Sequence, residues 1–167
     1  VLGEKKLTIT QRPITVEVDA VSRTYGERNP NFTANTVKSG SLVNGDMLVL
    51  TLTTTADRTS PVGKYDVTLA SSDSPNYAVT VEGKDKLTVT AKPITVAVDP
   101  ATRAYGEANP AFTATAPSSA LVGNDTVASL NLTLSSDATA TSPVGKYDVT
   151  GTANNANYTV TVEGTNV

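Results

Sequence analysis

The 167-residue chain contains neither cysteine nor histidine, and its formal net charge is −3. It can therefore form no disulfide or thiolate zinc site, it lacks the commonest general base, and its charge argues against nucleic acid as a partner. No apolar run approaches the roughly 20 residues that cross a bilayer, so we expect no membrane insertion in this segment. Its 28 threonines and 21 valines favour pleated strands over helices.

The same short phrases occur twice along the chain, at a spacing of about 80 residues. They are PITV at 13–16 and 93–96, TYGERNPNFTA at 24–34 with AYGEANPAFTA at 104–114, SPVGKYDVT at 60–68 and 142–150, and NY at 76–77 and 157–158. The spacing grows by three residues after Asp46 and Asp125, which indicates a tolerated insertion there. Such self-similarity predicts two tandem copies of one domain.

Within each copy the apolar residues alternate with polar ones, which predicts strands with one buried face. In chain order, the expected buried rows of the first copy are Ile14, Val16 and Val18; Leu48, Leu50 and Leu52; Tyr65, Val67 and Leu69; Tyr77, Val79 and Val81; and Leu87 with Val89. Threonine occupies many of the intervening positions, so the outer faces are expected to be solvated. The sequence therefore predicts a mainly β fold, with two copies of a small β-sandwich or β-grasp-like domain arranged end to end.

The phrase at 24–34 is interpreted as a connection between the first two strands of its copy. Gly26 suits a backbone position with positive φ, and Asn29–Pro30 favours a turn. We expect the Phe32 ring to enter the core and Tyr25 to cover one end of that core. The phrase would then recur because the domain recurs, and no ligand is needed to explain it.

One exception to the β pattern is left open in each copy. Asp46 precedes MLVL and Asp125 precedes TVASL, so either carboxylate could be the N-cap of a single helical turn.

The boundaries of the copies depend on a short strand expected at Leu7–Thr10, whose counterpart is Leu87–Thr90. If this strand closes the domain before it, residues 1–11 are the last strand of a preceding repeat. The first repeat is then 12–91, and the second, 92–167, lacks its final strand.

If the strand opens the domain after it, the chain holds two complete copies. We favour the first assignment, because VEGKDKLTV resembles a hairpin that pairs residues 77–81 with 87–89.

The favoured assignment predicts an unpaired edge in the second domain and an unpaired strand at Leu7–Thr10. One molecule could then donate this strand to the second domain of another, head to tail. Strand exchange of this kind is therefore one predicted partner interaction, beside contacts between neighbouring repeats of the same chain.

The ordered set KPITV, YGExNPxFT, LVxxD, SPVGKYDV, NYxVTVEG and LTVT resembles the MBG-type (YGX-type) repeats of bacterial surface proteins, over nearly the whole chain and twice. The resemblance implies a mainly β fold, an extracellular or cell-surface location, and occurrence in long repetitive proteins, many of them adhesins or biofilm-matrix proteins. It brings no catalytic residue.

No constellation for catalysis is found, so we predict no enzyme and assign no catalytic, cofactor-binding or metal residue. Calcium near the repeat junctions, at Asp19 and Asp99, is a minor alternative, although no acidic loop of the EF-hand kind exists. An isopeptide crosslink through Lys64 or Lys146 is another. The simpler interpretation of both lysines is an exposed charge that protects a strand edge.

Two functions from different classes remain. In the first, the repeats are a structural stalk that holds a binding region away from the cell surface, because the junction TAKPIT at 90–95 is short and stiffened by Pro93. In the second, the repeats themselves bind host glycan or protein weakly and multivalently. The scarcity of aromatic residues, six of which repeat at positions expected in the core, favours the stalk.

Overall fold

The computed structural model describes residues 6–164 and is mainly β. Residues 1–5 of the predicted segment 1–11 and residues 165–167 of the predicted segment 92–167 lie outside the described part. The thirteen strands are β1 Arg12–Glu17, β2 Val21–Thr24, β3 Thr36–Ser39, β4 Leu50–Thr53, β5 Gly63–Tyr65, β6 Thr68–Ser72, β7 Tyr77–Glu82, β8 Leu87–Thr90, β9 Lys92–Val98, β10 Ala114–Thr115, β11 Leu132–Ser135, β12 Thr150–Ala153 and β13 Tyr158–Glu163.

The chain divides into two compact units. In the described part, the first unit comprises residues 6–23, 28–58 and 63–89, and the second comprises residues 24–27, 59–62 and 90–164. Two short pieces of the first sequence copy thus belong to the second unit, which the repeat pattern alone does not indicate.

The first unit is built around a parallel pair of strands. β1 pairs with β7 in parallel over six residues, from Arg12 opposite Tyr77 to Glu17 opposite Glu82, and β3 adds to the other side of β1 in antiparallel orientation. β4 and β6 form an antiparallel ribbon. A third sheet has the order β2-β8-β5.

The predicted pairing of residues 77–81 with 87–89 is not formed. β7 turns instead to β1, while β8 lies between β2 and β5 in another sheet. The turn after Glu82 contains Asp85 with a positive φ of 56°, as a tight connection would, but the two strands that it joins separate into different sheets. Period-two alternation indicates a strand and its buried face but carries no information about the strand's partner.

The second unit repeats part of this arrangement. β9 pairs with β13 in parallel over six residues, β10 adds to β9, and β11 pairs with β12. Residues 101–104 and 145–147, which match β2 and β5, form no strand in the described chain.

The predicted rows are buried in part: each of them except the Leu48–Leu52 row has at least one buried member, while Leu48, Leu50, Leu52, Tyr65, Leu69, Val79 and Val81 are half-buried. Ile14, Val16 and Val18 are at most 2% exposed, and Ile94 and Val96 repeat this burial. In the first unit, Val18, Ala56, Val67 and Leu87 form one apolar cluster against which the Phe32 ring packs, as expected for that ring.

A short helical turn occurs in the second copy but not at the matching place in the first. The 3-10 helix Val127–Leu130 includes the extra residues of that copy, and a second one lies at Ser118–Ala120. The N-cap of the former is Thr126, one residue after the predicted Asp125, and Leu130 is its buried residue. The three added residues are close to one helical turn, which explains why the first copy passes the same point without one.

Gly83 gives a test of the packing in the first unit. A Cβ atom at this position would lie 1.7 Å from the carbonyl oxygen of Val67. The two backbone segments are held this close by a hydrogen bond, because Val67 N–H donates to the Gly83 carbonyl at 2.7 Å. We expect Gly83→Ala to lower the free energy of unfolding by roughly 1–3 kcal/mol or more, through forced backbone separation. Urea unfolding of the variant measures this.

Gly63→Ala is the matched control, because its Cβ would meet nothing closer than an atom of Tyr65 at 3.8 Å. It should change stability by no more than about 0.5 kcal/mol. Equal effects of the two substitutions would contradict the close approach at Gly83.

Candidate binding groove and tyrosine cluster

The repeated phrase at 24–34 is a turn held by its own side chains. Arg23 is buried, its Nε donates to Asn29 Oδ1 at 2.6 Å, and its Nη2 donates to the Asp57 carbonyl. Asn29 Nδ2 donates in turn to the Ala56 carbonyl at 2.7 Å. Gly26 has φ of 89°, which confirms the predicted positive φ and explains a glycine here.

The second copy builds the same turn. Arg103 Nε donates to Asn109 Oδ1 at 2.7 Å, Asn109 Nδ2 donates to the Ala138 carbonyl at 2.7 Å, and Gly106 has φ of 93°. Sequence analysis missed the two arginines, although each lies six residues before the asparagine that it contacts and recurs at the 80-residue spacing.

Tyr25 was expected to cover one end of the core of the first copy, and this prediction is wrong. The residue lies instead in a cluster inside the second unit. Its ring meets that of Tyr158 edge to face, with centroids 5.5 Å apart. Both hydroxyl groups donate to Asp125 Oδ2, at 3.1 Å from Tyr25 and 2.7 Å from Tyr158. Burial, and then the hydrogen bond to Asp125, raise the pKa of Tyr158.

Two backbone features complete this tyrosine cluster. Val122 N–H donates to the Tyr158 hydroxyl at 2.9 Å. Gly26 lies so close to Val122 that a Cβ on the glycine would stand 2.5 Å from the valine Cγ2. Nearby, Val62 N–H donates to Asn157 Oδ1 at 2.9 Å. Tyr25 and Gly26 thus contact residues of two other repeated phrases, LVxxD at 121–125 and NY at 157–158.

The first unit contains the counterparts of three residues of this cluster: Tyr77, Asp46 and Val43 correspond to Tyr158, Asp125 and Val122. The Tyr77 hydroxyl donates to Asp46 Oδ2 at 2.8 Å and accepts from Val43 N–H at 2.9 Å, and Val43 is 39% exposed. Tyr105 and Gly106, the counterparts of Tyr25 and Gly26, lie in the second unit. Tyr105 is 67% exposed, and a Cβ on Gly106 would meet nothing within 4 Å.

The second unit also has an open groove of about 400 Å³. Its lining includes Val98, Tyr105, Phe112, Tyr147 and Val149. Phe112, Tyr147 and Val149 are the counterparts of Phe32, Tyr65 and Val67, which in the first unit pack around the fully buried Leu87 of β8. The groove is therefore the place in the second unit that corresponds to the position of β8 in the first.

Comparison with protein families assigns the repeats. The model of the MBG domain (YGX type) matches residues 14–91 and again 94–166.

The chain belongs to the MBG domain family.

Comparison with curated proteins and with solved structures gave no match. MBG domains are a structural repeat type associated with surface proteins, and they are not known as an enzyme family. No helix among the described residues has the length and apolar character needed to cross a membrane.

The two MBG repeats differ in one ionic cluster. In the first, Glu17 on β1 forms ion pairs with Lys38 at 2.6 Å and Lys86 at 2.5 Å. Hydrogen bonds from Lys38 and then Lys86 lower the pKa of Glu17 to about 2. The second repeat has Ala97 at the matching position and cannot form this cluster.

The calcium and isopeptide alternatives can be compared with the surroundings of Asp19, Asp99, Lys64 and Lys146. Asp19 Oδ2 accepts from Thr33 Oγ1 and Asn35 Nδ2, both at 2.6 Å, and Asp99 accepts from Thr113 Oγ1 at 2.7 Å. These carboxylates tie one strand end to the next, and no group of three or more metal-binding side chains is found in residues 6–164. Lys64 and Lys146 are exposed, whereas an isopeptide bond needs a buried lysine.

The Glu17 cluster predicts a specific acid response. Because the folded-state pKa lies below the ordinary value of 4.5, the cluster stabilises the fold fully above that value, and its contribution is lost as the pH falls towards about 2. The gap in stability between wild type and Glu17→Gln should therefore shrink over this range, as measured by urea unfolding at several pH values.

Salt provides the control, since about 1 M NaCl should screen the more exposed Lys38 pair, although it weakens the partly buried Lys86 pair less. There the wild type and the glutamine variant should approach each other even at neutral pH. A stability gap that is independent of both pH and salt would show that Glu17 acts through packing alone.

Proposed function

We propose that these MBG repeats are structural spacers of a bacterial cell-surface or secreted adhesin, which hold a binding region away from the cell. Their family is associated with surface-protein repeats, and this supports the extracellular location that the proposal includes. The proposal concerns the segment as a mechanical element and assigns it no ligand.

One observation carries the proposal: residues from both sequence copies build the second compact unit. Tyr25 and Gly26 of the first copy are packed against Tyr158 and Val122 there, and Tyr25 is only 5% exposed. A spacer needs this kind of junction, since repeats joined only by a flexible linker would collapse back towards the surface.

The connection between the copies supports the same function. β8 ends at Thr90 and β9 begins at Lys92, so Ala91 is the only residue between the two strands. Such a connection has little freedom to bend, and Pro93 restricts it further.

An adhesive role is the second candidate, and one observation favours it. Tyr105 and Tyr147 are 67% and 43% exposed and line the groove beside polar groups such as Arg103 and Asn109. Exposed aromatic rings next to hydrogen-bonding side chains suit sugar rings. The first sequence copy does not repeat this surface, because its Tyr25 is buried in the second unit and its Tyr65 is half-buried. The spacer role is therefore the better supported.

The junction can be tested by distance measurement between spin labels. The chain has no cysteine, so Lys64→Cys and Lys146→Cys, both at exposed positions, introduce unique labelling sites. We expect a narrow distance distribution by pulsed electron resonance. Tyr25→Ala should broaden it, because the substitution removes the ring contact with Tyr158 and the hydrogen bond to Asp125.

Tyr105→Ala is the matched control, since it removes the same side chain from the second copy, where it is exposed. It should leave the distribution unchanged. A broad distribution in the unsubstituted chain would contradict the spacer proposal.

The adhesive alternative has its own test. The purified chain should give no reproducible signal on an array of host glycans and matrix proteins above a control with scrambled repeats. Binding that is lost in the double variant Tyr105→Ala, Tyr147→Ala would replace the spacer function by an adhesive one located in the groove.

A further inference from the structure

We propose that Asn44 is a site of spontaneous deamidation, in which the backbone nitrogen of Gly45 attacks the Asn44 side chain and the product loosens the contact of this turn with Tyr77. The modification goes beyond the spacer function, which requires no covalent change in the repeats.

Asn44 and Gly45 are the central residues of a tight turn in the connection between β3 and β4. The turn is closed by a hydrogen bond from Asp46 N–H to the Val43 carbonyl at 2.9 Å. Both central residues have positive φ, 53° at Asn44 and 78° at Gly45. Positive φ at both positions is the pattern of a type I′ turn, for which Asn-Gly is a preferred pair. The needs of the fold therefore explain a pair of residues that is also chemically labile.

The reaction needs only this pair and water. The Gly45 nitrogen has no Cβ beside it to hinder its approach to the side-chain carbonyl carbon of Asn44. A new C–N bond then closes a five-membered imide ring, and the bond from that carbon to the side-chain nitrogen breaks. The side-chain nitrogen leaves as ammonia, with the proton that the Gly45 nitrogen loses. Water opens the ring at either carbonyl carbon, which gives aspartate or isoaspartate.

The turn leaves the reacting groups accessible. Asn44 and Gly45 are exposed, and a Cβ built on Gly45 would meet nothing within 4 Å. The matching residues of the second unit, Gly123 and Asn124, are exposed as well, although Gly26 of the other sequence copy packs beside them. The turn therefore stays open to water even where a residue of another copy lies against it.

The second copy has the same turn with the two residues in the opposite order, Gly123 before Asn124. Asp125 N–H donates to the Val122 carbonyl at 3.0 Å, which closes the turn as in the first copy. The nitrogen that would attack Asn124 belongs to Asp125, whose Cβ crowds the approach. Asn124 is therefore a matched reference for Asn44 within the same chain.

Both ends of the first turn are attached to one side chain. The Tyr77 hydroxyl accepts from Val43 N–H at 2.9 Å and donates to Asp46 Oδ2 at 2.8 Å. Because Tyr77 is only 6% exposed, these hydrogen bonds satisfy a largely buried residue. Isoaspartate at position 44 lengthens the backbone between the two attachment points, so we expect their contacts with the hydroxyl to open. Aspartate keeps the backbone length and adds only a negative charge.

Peptide mapping by mass spectrometry measures the reaction directly. Trypsin releases residues 39–58 as one peptide, in which Asn44 is the only asparagine. During incubation of the folded chain, Asn44 should deamidate at least about tenfold faster than Asn124. Mildly alkaline buffer should accelerate the reaction relative to neutral buffer, because loss of the amide proton makes the attacking nitrogen more nucleophilic.

The exchange of Asn44→Gly together with Gly45→Asn is the matched variant, because it gives the first copy the order that the second copy already accommodates. This variant should retain the fold, as checked by urea unfolding, and its turn should deamidate as slowly as Asn124 does.

The structural effect is tested on the separated products. Anion exchange isolates the deamidated chains by their added negative charge, and fragmentation of the 39–58 peptide distinguishes isoaspartate from aspartate. In the isoaspartate chain, amide hydrogen exchange at Val43 and Asp46 should become at least about tenfold faster, since the turn opens. Asn44→Asp is the control for the charge alone, and it should keep both amides protected.

Two kinds of result would contradict the proposal. Deamidation of Asn44 that is no faster than that of Asn124, or equally fast in the exchanged variant, would exclude Asn44 as the site. Unchanged protection of Val43 and Asp46 in the isoaspartate chain would exclude the effect on Tyr77. Neither result changes the spin-label distances at the junction, which test the spacer proposal separately.

Discussion

Strand β8 is the element on which the first unit most visibly depends. β2 and β5 both pair with β8, and the described sheet has no other link between them. Leu87 of the same strand completes the apolar cluster with Val18, Ala56 and Val67. In the second unit, the segments that match β2 and β5 keep their sequences but form no strand, and the groove lies beside them. Four residues therefore provide both backbone partners and core side chains for two strands that lack a ladder elsewhere.

The same comparison shows what the sequence could predict. Alternation correctly identified the buried faces of Ile14, Val16 and Val18 and the core position of Phe32, because burial of one face follows directly from a period of two. Repetition correctly indicated two tandem domains, and the glycine of YG correctly indicated a positive φ. These features are local, or they are visible as letters that recur.

Partners across space were not predictable in this way. β1 pairs in parallel with β7, more than sixty residues further along the chain, and no feature of either strand names the other. Tyr25 and Tyr105 occupy the same phrase, yet one is 5% and the other 67% exposed. The difference in exposure arises because Tyr158 packs against Tyr25, and the identity of such a contacting segment cannot be inferred from the phrase itself. The arginine–asparagine contacts of the turn, in contrast, could have been found, because both residues recur together at constant spacing.

The parallel pairs have a mechanical consequence for a chain that is stretched from its two ends. β1 lies near the beginning of its repeat and β7 near the end, and they run side by side in register over six residues, as do β9 and β13. Tension applied through the backbone pulls two such strands in opposite directions along their own axes. The hydrogen bonds between them are then loaded together in shear, and they cannot open one after another as in the unzipping of a hairpin. The parallel pair of each unit thus resists tension along its own strands better than a hairpin that is opened from its end.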